Sequence, residues 1–188
     1  MQKNYNPKLK RYVHEIYAGG YQATREQNIV FSAILGSCIS VCLKDRTSGV
    51  TGMNHFMLPG KPRTGKKVLG GDARYGGNSM EMLIASMLKI GAKESALEAK
   101  VFGGGKLYDV ALSNIADMNI DFIAAYLKAT QVPVLASNVG GRHGRKLFFF
   151  PDTFAVYVKQ INMTEIPAEA GLQQEKRLLR SAKADSVP

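Results

Sequence analysis

The chain has 188 residues, enough for one domain with a substantial core, and its 45% hydrophobic and 21% charged residues are ordinary for a globular protein. Its 25 Lys and Arg residues against 15 Asp and Glu residues give a net charge of +10, which favours an acidic partner: nucleic acid, an anionic membrane or an acidic protein surface. The composition excludes a membrane span, because no apolar run approaches about 18 residues, and two cysteines with three histidines exclude a structural zinc site.

Short strands are predicted for the first part of the chain, from Tyr12 to Leu58. The runs NIVFSAILGS and CISVCLKD are rich in β-branched and apolar residues, and GVTGMNHFML follows the turn-like DRTSG. The next stretch, Pro59–Gly77, is dense in Gly, Pro and Lys and predicts a long loop. Loops of this length inside a compact domain are usually functional or disordered.

Two amphipathic helices are predicted further along. In NSMEMLIASMLKIG, Asn78 and Glu81 resemble a capping box, apolar residues recur at helical spacing, and Gly91 provides the stop. NIDFIAAYLKAT has a similar apolar stripe. Strands are predicted in LEAKVFGGG, VPVLAS, KLFFF and TFAVYVKQI. Helices interleaved with strands, some joined by hairpins, predict a single layered α/β domain with a mixed, largely antiparallel sheet packed by helices.

The domain is expected to cover residues 1–166, with no repeats and no second-domain boundary. Residues 167–188 predict a basic C-terminal tail, partly helical in LQQEKRLLRSAK and frayed beyond it. The N-terminus lacks the apolar core of a signal peptide, so we expect a cytoplasmic protein with reduced thiols.

Both cysteines lie in the segment LGSCISVC, Leu35–Cys42. Their Cα atoms would be about 13 Å apart on a strand, beyond the roughly 7 Å limit for a disulfide. Cys38 follows a Gly-Ser pair, so it is either a small apolar core residue or a nucleophile presented at a bend. We assign Cys42 to the core.

The hairpin register decides whether Cys38 has a partner. A turn centred on Arg46-Thr47 pairs Asp45 with Ser48 and places Cys38 directly opposite His55. Opposed residues on one face have Cβ atoms about 5 Å apart, close enough for a Cys/His pair. A turn centred half a residue later removes this pairing.

The same register divides the hairpin into two faces. One face carries residues typical of a core: Ile39, Val41, Leu43, Val50 and Phe56. The other face carries Ser40, Cys42, Thr51 and Met53 beside Cys38. This second face therefore predicts a site. The run Gly103–Gly105 predicts a turn, because the flanking residues of a phosphate-binding motif are missing.

Four motifs together resemble one protein family. LGSCISVCLKD, GMNHFMLPG, KVFGGG and GGRHGRKLFF resemble, in the same order, the CheD family of chemoreceptor glutamine deamidases. The resemblance extends from about Tyr12 to Ile161. It implies a layered α/β fold similar to that of deamidating bacterial toxins of the cytotoxic necrotizing factor type, and it implies no cofactor or metal.

The resemblance also implies roles for individual residues. The family nucleophile falls on Cys38, its general base on His55, and its third member, a threonine, on Ser32. Ser32 keeps the hydroxyl that would orient the imidazole but lacks the stiff β-branch. Backbone N–H groups around Gly36 and Ser37 become the candidate oxyanion donors.

The chain departs from the family pattern at two positions in NIADMN. The family tends to have Gly at the position of Ala116 and Arg at the position of Met118. These departures and Ser32 keep open the alternative of a weakly active or inactive module that binds chemoreceptors or a CheC-type phosphatase. A nucleic-acid binder is a third reading of the +10 charge, although basic patches interleaved with aromatic residues are missing.

Overall fold

The protein is described by a computed structural model over residues 3–60, 72–107 and 113–162. Within these ranges it forms ten strands and two α-helices. The strands are β1 (Lys3–Asn6), β2 (Arg11–Glu15), β3 (Tyr21–Thr24), β4 (Ile29–Leu35), β5 (Ile39–Asp45), β6 (Thr51–Asn54), β7 (Leu97–Gly103), β8 (Val134–Val139), β9 (Gly144–Phe150) and β10 (Ala155–Ile161). The helices are α1 (Gly76–Lys89) and α2 (Ser113–Ala129).

The strands form two five-stranded sheets. Sheet A has the order β1-β2-β4-β9-β10, and sheet B has the order β3-β6-β5-β7-β8. The pairs β2-β4 and β7-β8 are parallel, and the others are antiparallel. The predicted mixed, largely antiparallel α/β domain is therefore confirmed. Its division into two sheets was not predicted, because a strand pattern does not identify which strands pair.

Two apolar cores separate three layers. The core between the two sheets contains Ile29, Phe31, Ala33, Leu35, Cys42, Met53, Phe102, Leu147 and Phe149. The core between sheet B and the helices contains Ile39, Val41, Leu43, Phe56, Met80, Leu83, Met87, Ile123 and Leu127. Successive residues of β5 alternate between these cores, as expected for a strand buried on both faces. The predicted core face of the hairpin packs on the helices, and the predicted site face packs largely on sheet A.

Both helices begin earlier than the apolar pattern predicts. The helix α1 begins at Gly76, after Tyr75, and the Asn78 side chain donates a hydrogen bond to the Asp72 carbonyl instead of capping the helix. The predicted stop is confirmed, because Gly91 has φ +92° beyond the end of α1. The helix α2 begins six residues before the predicted NIDF start.

Two predicted segments lie wholly or mainly outside the described residues. Residues 61–71 make up most of the predicted loop Pro59–Gly77, and residues 163–188 include the predicted tail. Neither helix of the described ranges has the length and apolar character needed to cross a membrane.

Candidate functional site

Cys38 lies across from Met57, not His55, where β5 and the chain after β6 run side by side. The strands pair Cys42 with Met53, and continuing this register brings Cys38 opposite Met57. The two side chains pack in one small apolar cluster. The predicted direct pairing of Cys38 with His55 is wrong by two residues. A shift of two keeps both side chains on the same face as diagonal neighbours, because the side-chain period of a strand is two.

The turn between β5 and β6 explains the shift. Asp45 donates its N–H to the Val50 carbonyl at 2.8 Å, so the turn contains four residues and not two. The Asp45 carboxylate accepts hydrogen bonds from the N–H groups of Thr47 and Ser48, and Gly49 adopts φ +71°. These contacts stabilise a longer turn than the assumed pairing of Asp45 with Ser48 allows.

The ladder between these segments opens just before His55. The Val41 N–H donates to the side-chain oxygen of Asn54 at 2.9 Å in place of a backbone carbonyl. The main chain of His55 pairs instead with a neighbouring turn: its N–H donates to the Gly20 carbonyl at 2.9 Å, and its carbonyl accepts from Gly19 at 2.7 Å. His55 is therefore held from two sides.

The imidazole of His55 has one fixed nitrogen and one available nitrogen. The ring is 5% exposed, and Nδ1 lies 3.0 Å from the Ile16 carbonyl oxygen. A carbonyl only accepts hydrogen bonds, so in the neutral ring Nδ1 carries the proton and Nε2 carries the lone pair. Within the described residues Nε2 has no hydrogen-bond partner. Burial, opposed by the Ile16 hydrogen bond, lowers the pKa of His55, which favours the neutral form of the ring.

Ser32 does not make the hydrogen bond expected of it. The partner of His55 Nδ1 is the Ile16 carbonyl. Ser32 alternates along β4 with Phe31 and Ala33, which face the inter-sheet core, and it lines a surface pocket on the outer face of sheet A. Its carbonyl accepts the Ile16 N–H at 2.7 Å. Ser32 is thus linked to His55 through the main chain of Ile16.

The bend before β5 is held by its carbonyl groups. The carbonyl oxygens of residues 36, 37 and 38 accept hydrogen bonds from the Gly105 N–H at 2.7 Å, the Asn119 side-chain amide at 3.0 Å and the Gly104 N–H at 2.8 Å. A peptide is planar and its N–H points opposite to its C=O. Fixing these carbonyls therefore also fixes the directions of the N–H groups of residues 37 and 38.

The glycines at the bend permit close contact between two backbone segments. Gly103 has φ +119°, and a Cβ atom there would overlap the Cys38 carbonyl oxygen. A Cβ atom on Gly36 would lie 2.7 Å from Cδ1 of Leu107. The predicted turn at Gly103–Gly105 is not found: Gly103 ends β7, and the two following glycines donate their N–H groups to the Cys38 and Gly36 carbonyls, so the run supports the bend that presents Cys38.

A buried arginine holds the next loop against this support. Arg145 is 2% exposed and donates hydrogen bonds to the Asn138 side-chain oxygen at 2.7 Å and to the carbonyls of Gly140 at 2.6 Å and His143 at 3.3 Å. The Gly140 N–H in turn donates to the Gly103 carbonyl at 2.9 Å. A continuous set of hydrogen bonds therefore connects Arg145 to the bend.

The two cysteines occupy different environments. Cys42 is 0% exposed between the sheets, and burial raises the pKa of its thiol, opposed by the charge of Lys100. This confirms Cys42 as a core residue. Cys38 is half-buried at the edge of the inter-sheet core and contacts Met57 in the cluster that also contains Leu58.

Three contributors to this site were not predicted from the sequence. Ile16 acts through its carbonyl, which carries no signal in the residue type. The packing role of Gly103 depends on a partner 65 residues away. Asn119 did carry a signal, because it shares helical spacing with the buried residues Ala116 and Ile123 and is polar at a core position.

Comparison with known proteins identifies the family. Residues 57–160 match the family model described as CheD chemotactic sensory transduction. The chain is 40% identical over 175 residues to the probable chemoreceptor glutamine deamidase CheD 1 of Shewanella oneidensis, which covers 93% of this chain and 84% of that protein. It is 37% identical over 188 residues to the probable chemoreceptor glutamine deamidase CheD of Cupriavidus metallidurans, and this alignment spans 99% of this chain and 84% of that protein. The chain belongs to the CheD family.

Membership of the CheD family confirms the resemblance expected from the motifs. The family match begins at Met57, but the alignment with the Cupriavidus relative extends over nearly the whole chain and includes Cys38 and His55. The two positions expected to depart from the family pattern lie on α2: Ala116 is buried in the core, whereas Met118 is 51% exposed.

Proposed function

We propose that this CheD family member deamidates glutamine side chains of chemoreceptors through a cysteine thioester. Its relatives are named probable chemoreceptor glutamine deamidases, which supports the reaction and the substrate. The observation that carries the mechanism is the imidazole of His55. Its Nδ1 is fixed by a carbonyl, and its Nε2 faces no described partner on the face it shares with Cys38.

The first half of the proposed reaction forms the thioester. His55 Nε2 takes the proton of the Cys38 thiol, and the sulfur attacks the side-chain carbonyl carbon of the glutamine. The tetrahedral intermediate collapses as the C–N bond breaks, and the imidazolium returns the proton to the leaving nitrogen, which departs as ammonia. A neutral resting His55 suits this order of events, because a protonated ring cannot accept the thiol proton.

The second half hydrolyses the thioester. His55 takes a proton from water, and the resulting hydroxide attacks the thioester carbonyl. The C–S bond breaks, the sulfur of Cys38 regains its proton from the imidazolium, and the product is glutamate. The oxygen of each tetrahedral intermediate is negative. The N–H groups of Ser37 and Cys38, whose directions are set by the bound carbonyls, are its proposed donors, with the Gly36 bend supplying the geometry.

The role assigned to Ser32 follows from its backbone. Its carbonyl fixes the peptide of Ile16, and the Ile16 carbonyl orients His55. In this proposal the third member of the catalytic unit is the Ile16 carbonyl, and Ser32 supports it.

We further propose that the protein acts in the cytoplasm, where reduced thiols persist. The net charge of +10 favours docking to acidic protein surfaces. A CheC-type phosphatase is a second proposed partner.

Mass spectrometry of a receptor cytoplasmic fragment incubated with the protein tests the proposal. Each glutamine converted to glutamate gains about one dalton, because an NH₂ group is replaced by OH. The fragment alone and a fragment with its modified glutamines changed to glutamate are the controls. We expect the mass gain at specific glutamines when the native fragment is incubated with the protein, and in neither control. Binding of the fragment with no mass gain would contradict the proposal and favour a binding module.

A further inference from the structure

Asn119 is a buried polar residue whose side chain joins the segments that carry Cys38 and His55. It lies on α2 and is 0% exposed. Its Nδ2 donates to the Ser37 carbonyl at 3.0 Å and to the Met57 carbonyl at 2.9 Å. Ser37 directly precedes Cys38, and Met57 follows His55 by two residues. One amide group thus bridges the two segments.

The chemistry of the partners fixes the orientation of this amide. Both partners of Asn119 are carbonyl oxygens, which only accept, so only the NH₂ end can face them. The Oδ1 atom at the other end is buried and has no hydrogen-bond partner among the described residues. A buried acceptor without a donor costs stability. The amide is therefore placed here for its two donors.

The bridge lies where the backbone ladder provides few connections. The ladder is interrupted at Val41, whose N–H bonds to the Asn54 side chain. Beyond this point Ile39 and Phe56 exchange both backbone hydrogen bonds, at 3.0 and 2.9 Å. Asn119 adds a connection on the far side of that pair, beside the bend.

The helix that carries Asn119 is itself firmly held. Ile123 and Leu127, one and two turns further along α2, are buried in the core against sheet B. Ala116, one turn earlier, is also buried. The side chain of Asn119 therefore extends from a fixed element, and the two carbonyls are held relative to each other.

We infer that Asn119 is a positioning residue that sets the separation between the Cys38 thiol and His55 Nε2. The inference rests on the proposed function in treating these two groups as the reacting pair. Asn119 is 0% exposed and acts through the Ser37 and Met57 carbonyls, which makes it a positioning residue rather than a catalytic one. Its loss is expected to lower kcat and leave KM nearly unchanged, since small misplacements of reacting groups slow chemistry strongly.

Alkylation of Cys38 tests the inference without a receptor. The rate of modification by iodoacetamide, mapped by mass spectrometry, is measured from pH 5 to 9 in wild type, Asn119→Leu and Asn119→Ser. In Asn119→Leu both donors are lost, and we expect Cys38 to be modified about tenfold more slowly than in wild type at pH 7. The midpoint of the pH profile of Cys38 modification should also move towards the roughly 8.5 of a free thiol. Asn119→Ser keeps one donor, so its rate of Cys38 modification should lie between those of wild type and Asn119→Leu.

Thr24→Val is the matched control. Thr24 is also buried, and its hydroxyl accepts a hydrogen bond from the Glu26 N–H at 2.9 Å, but it lies opposite Thr51, at the end of β3 away from His55. The control should lower Tm and leave the alkylation profile unchanged. A wild-type profile in Asn119→Leu, or an equal shift in Thr24→Val, would overturn the inference. If Asn119→Leu does not fold, Asn119→Ser provides the test, and a wild-type alkylation profile in Asn119→Ser would overturn the inference. Absent deamidation by the wild type would refute the proposed function and leave this test intact.

Discussion

Cys42 lies on β5 and Cys38 at the bend just before it, and the two thiols differ in burial and in the backbone around them. Cys42 lies between two sheets, fully buried, with a raised thiol pKa. Cys38 lies at a bend, half-buried, at the edge of the inter-sheet core and packed against Met57 and Leu58. A thiol becomes a nucleophile through its base, its exposure and its backbone, and the strand alone provides none of these.

The largest expected difference between the two cysteines is in deamidation of a receptor fragment. Cys38→Ala should abolish the reaction and change stability little, because the thiol borders the core. Cys42→Ala should keep the rate within a few fold and lower the free energy of unfolding by about 1 kcal/mol, since it removes a buried side-chain atom. Rates by mass spectrometry and denaturant unfolding measure both effects. Activity lost in Cys42→Ala and kept in Cys38→Ala would reverse the assignment.

Removal of the base should make Cys38 behave more like an ordinary thiol. His55→Ala is expected to lower the deamidation rate about a thousandfold, because no group remains to take the thiol proton or return it to ammonia. Steady-state kinetics at pH 7 provide the measurement. A loss of less than tenfold would show that another group acts as the base.

A methyl group at Gly103 should disturb Cys38 without reaching Cys42. The added Cβ overlaps the Cys38 carbonyl, so Gly103→Ala is expected to shift the bend and slow deamidation about a hundredfold. Gly49→Ala is the matched control: Gly49 also has positive φ, but a Cβ there meets no atom within 4 Å. Both variants should lower Tm. Equal deamidation rates in Gly103→Ala and Gly49→Ala would show that the position of the bend does not control catalysis.

The smallest expected effect is at Ser32. Its hydroxyl is not the partner of His55, so Ser32→Ala should change the rate by less than about threefold, as the backbone carbonyl that supports Ile16 remains. Ser32→Thr should behave alike if the outer pocket admits a methyl group. A loss of 10-fold or more in Ser32→Ala would give the hydroxyl a direct role.

The fold was predictable where it depends on local pattern. Alternation in β5 correctly separated Ile39, Val41 and Leu43 from the face of Cys38, and apolar spacing located both helices. The register was not predictable, because the Asp45 side chain stabilises a four-residue turn that composition does not distinguish from a two-residue turn.

The supports of the candidate site were not predictable from the sequence. Cys38 and His55 remain a prediction from the motifs, and the strand register places both on one face. The Ile16 carbonyl, the Asn119 bridge and the contact of Gly103 with Cys38 join segments far apart in sequence. Such contacts depend on tertiary packing, which a single sequence does not specify.

The pH dependence of alkylation at both cysteines of the native protein tests the central claim most directly. Because burial lowers the pKa of His55 below its ordinary value of about 6.5, the ring is neutral above that pH and able to accept a proton from Cys38. Modification of Cys38 by iodoacetamide should therefore already proceed at pH 7, well below the roughly 8.5 of a free thiol, while Cys42 stays unmodified until the protein unfolds. A Cys38 rate that rises only near pH 8.5, or equal modification of Cys42, would contradict the account.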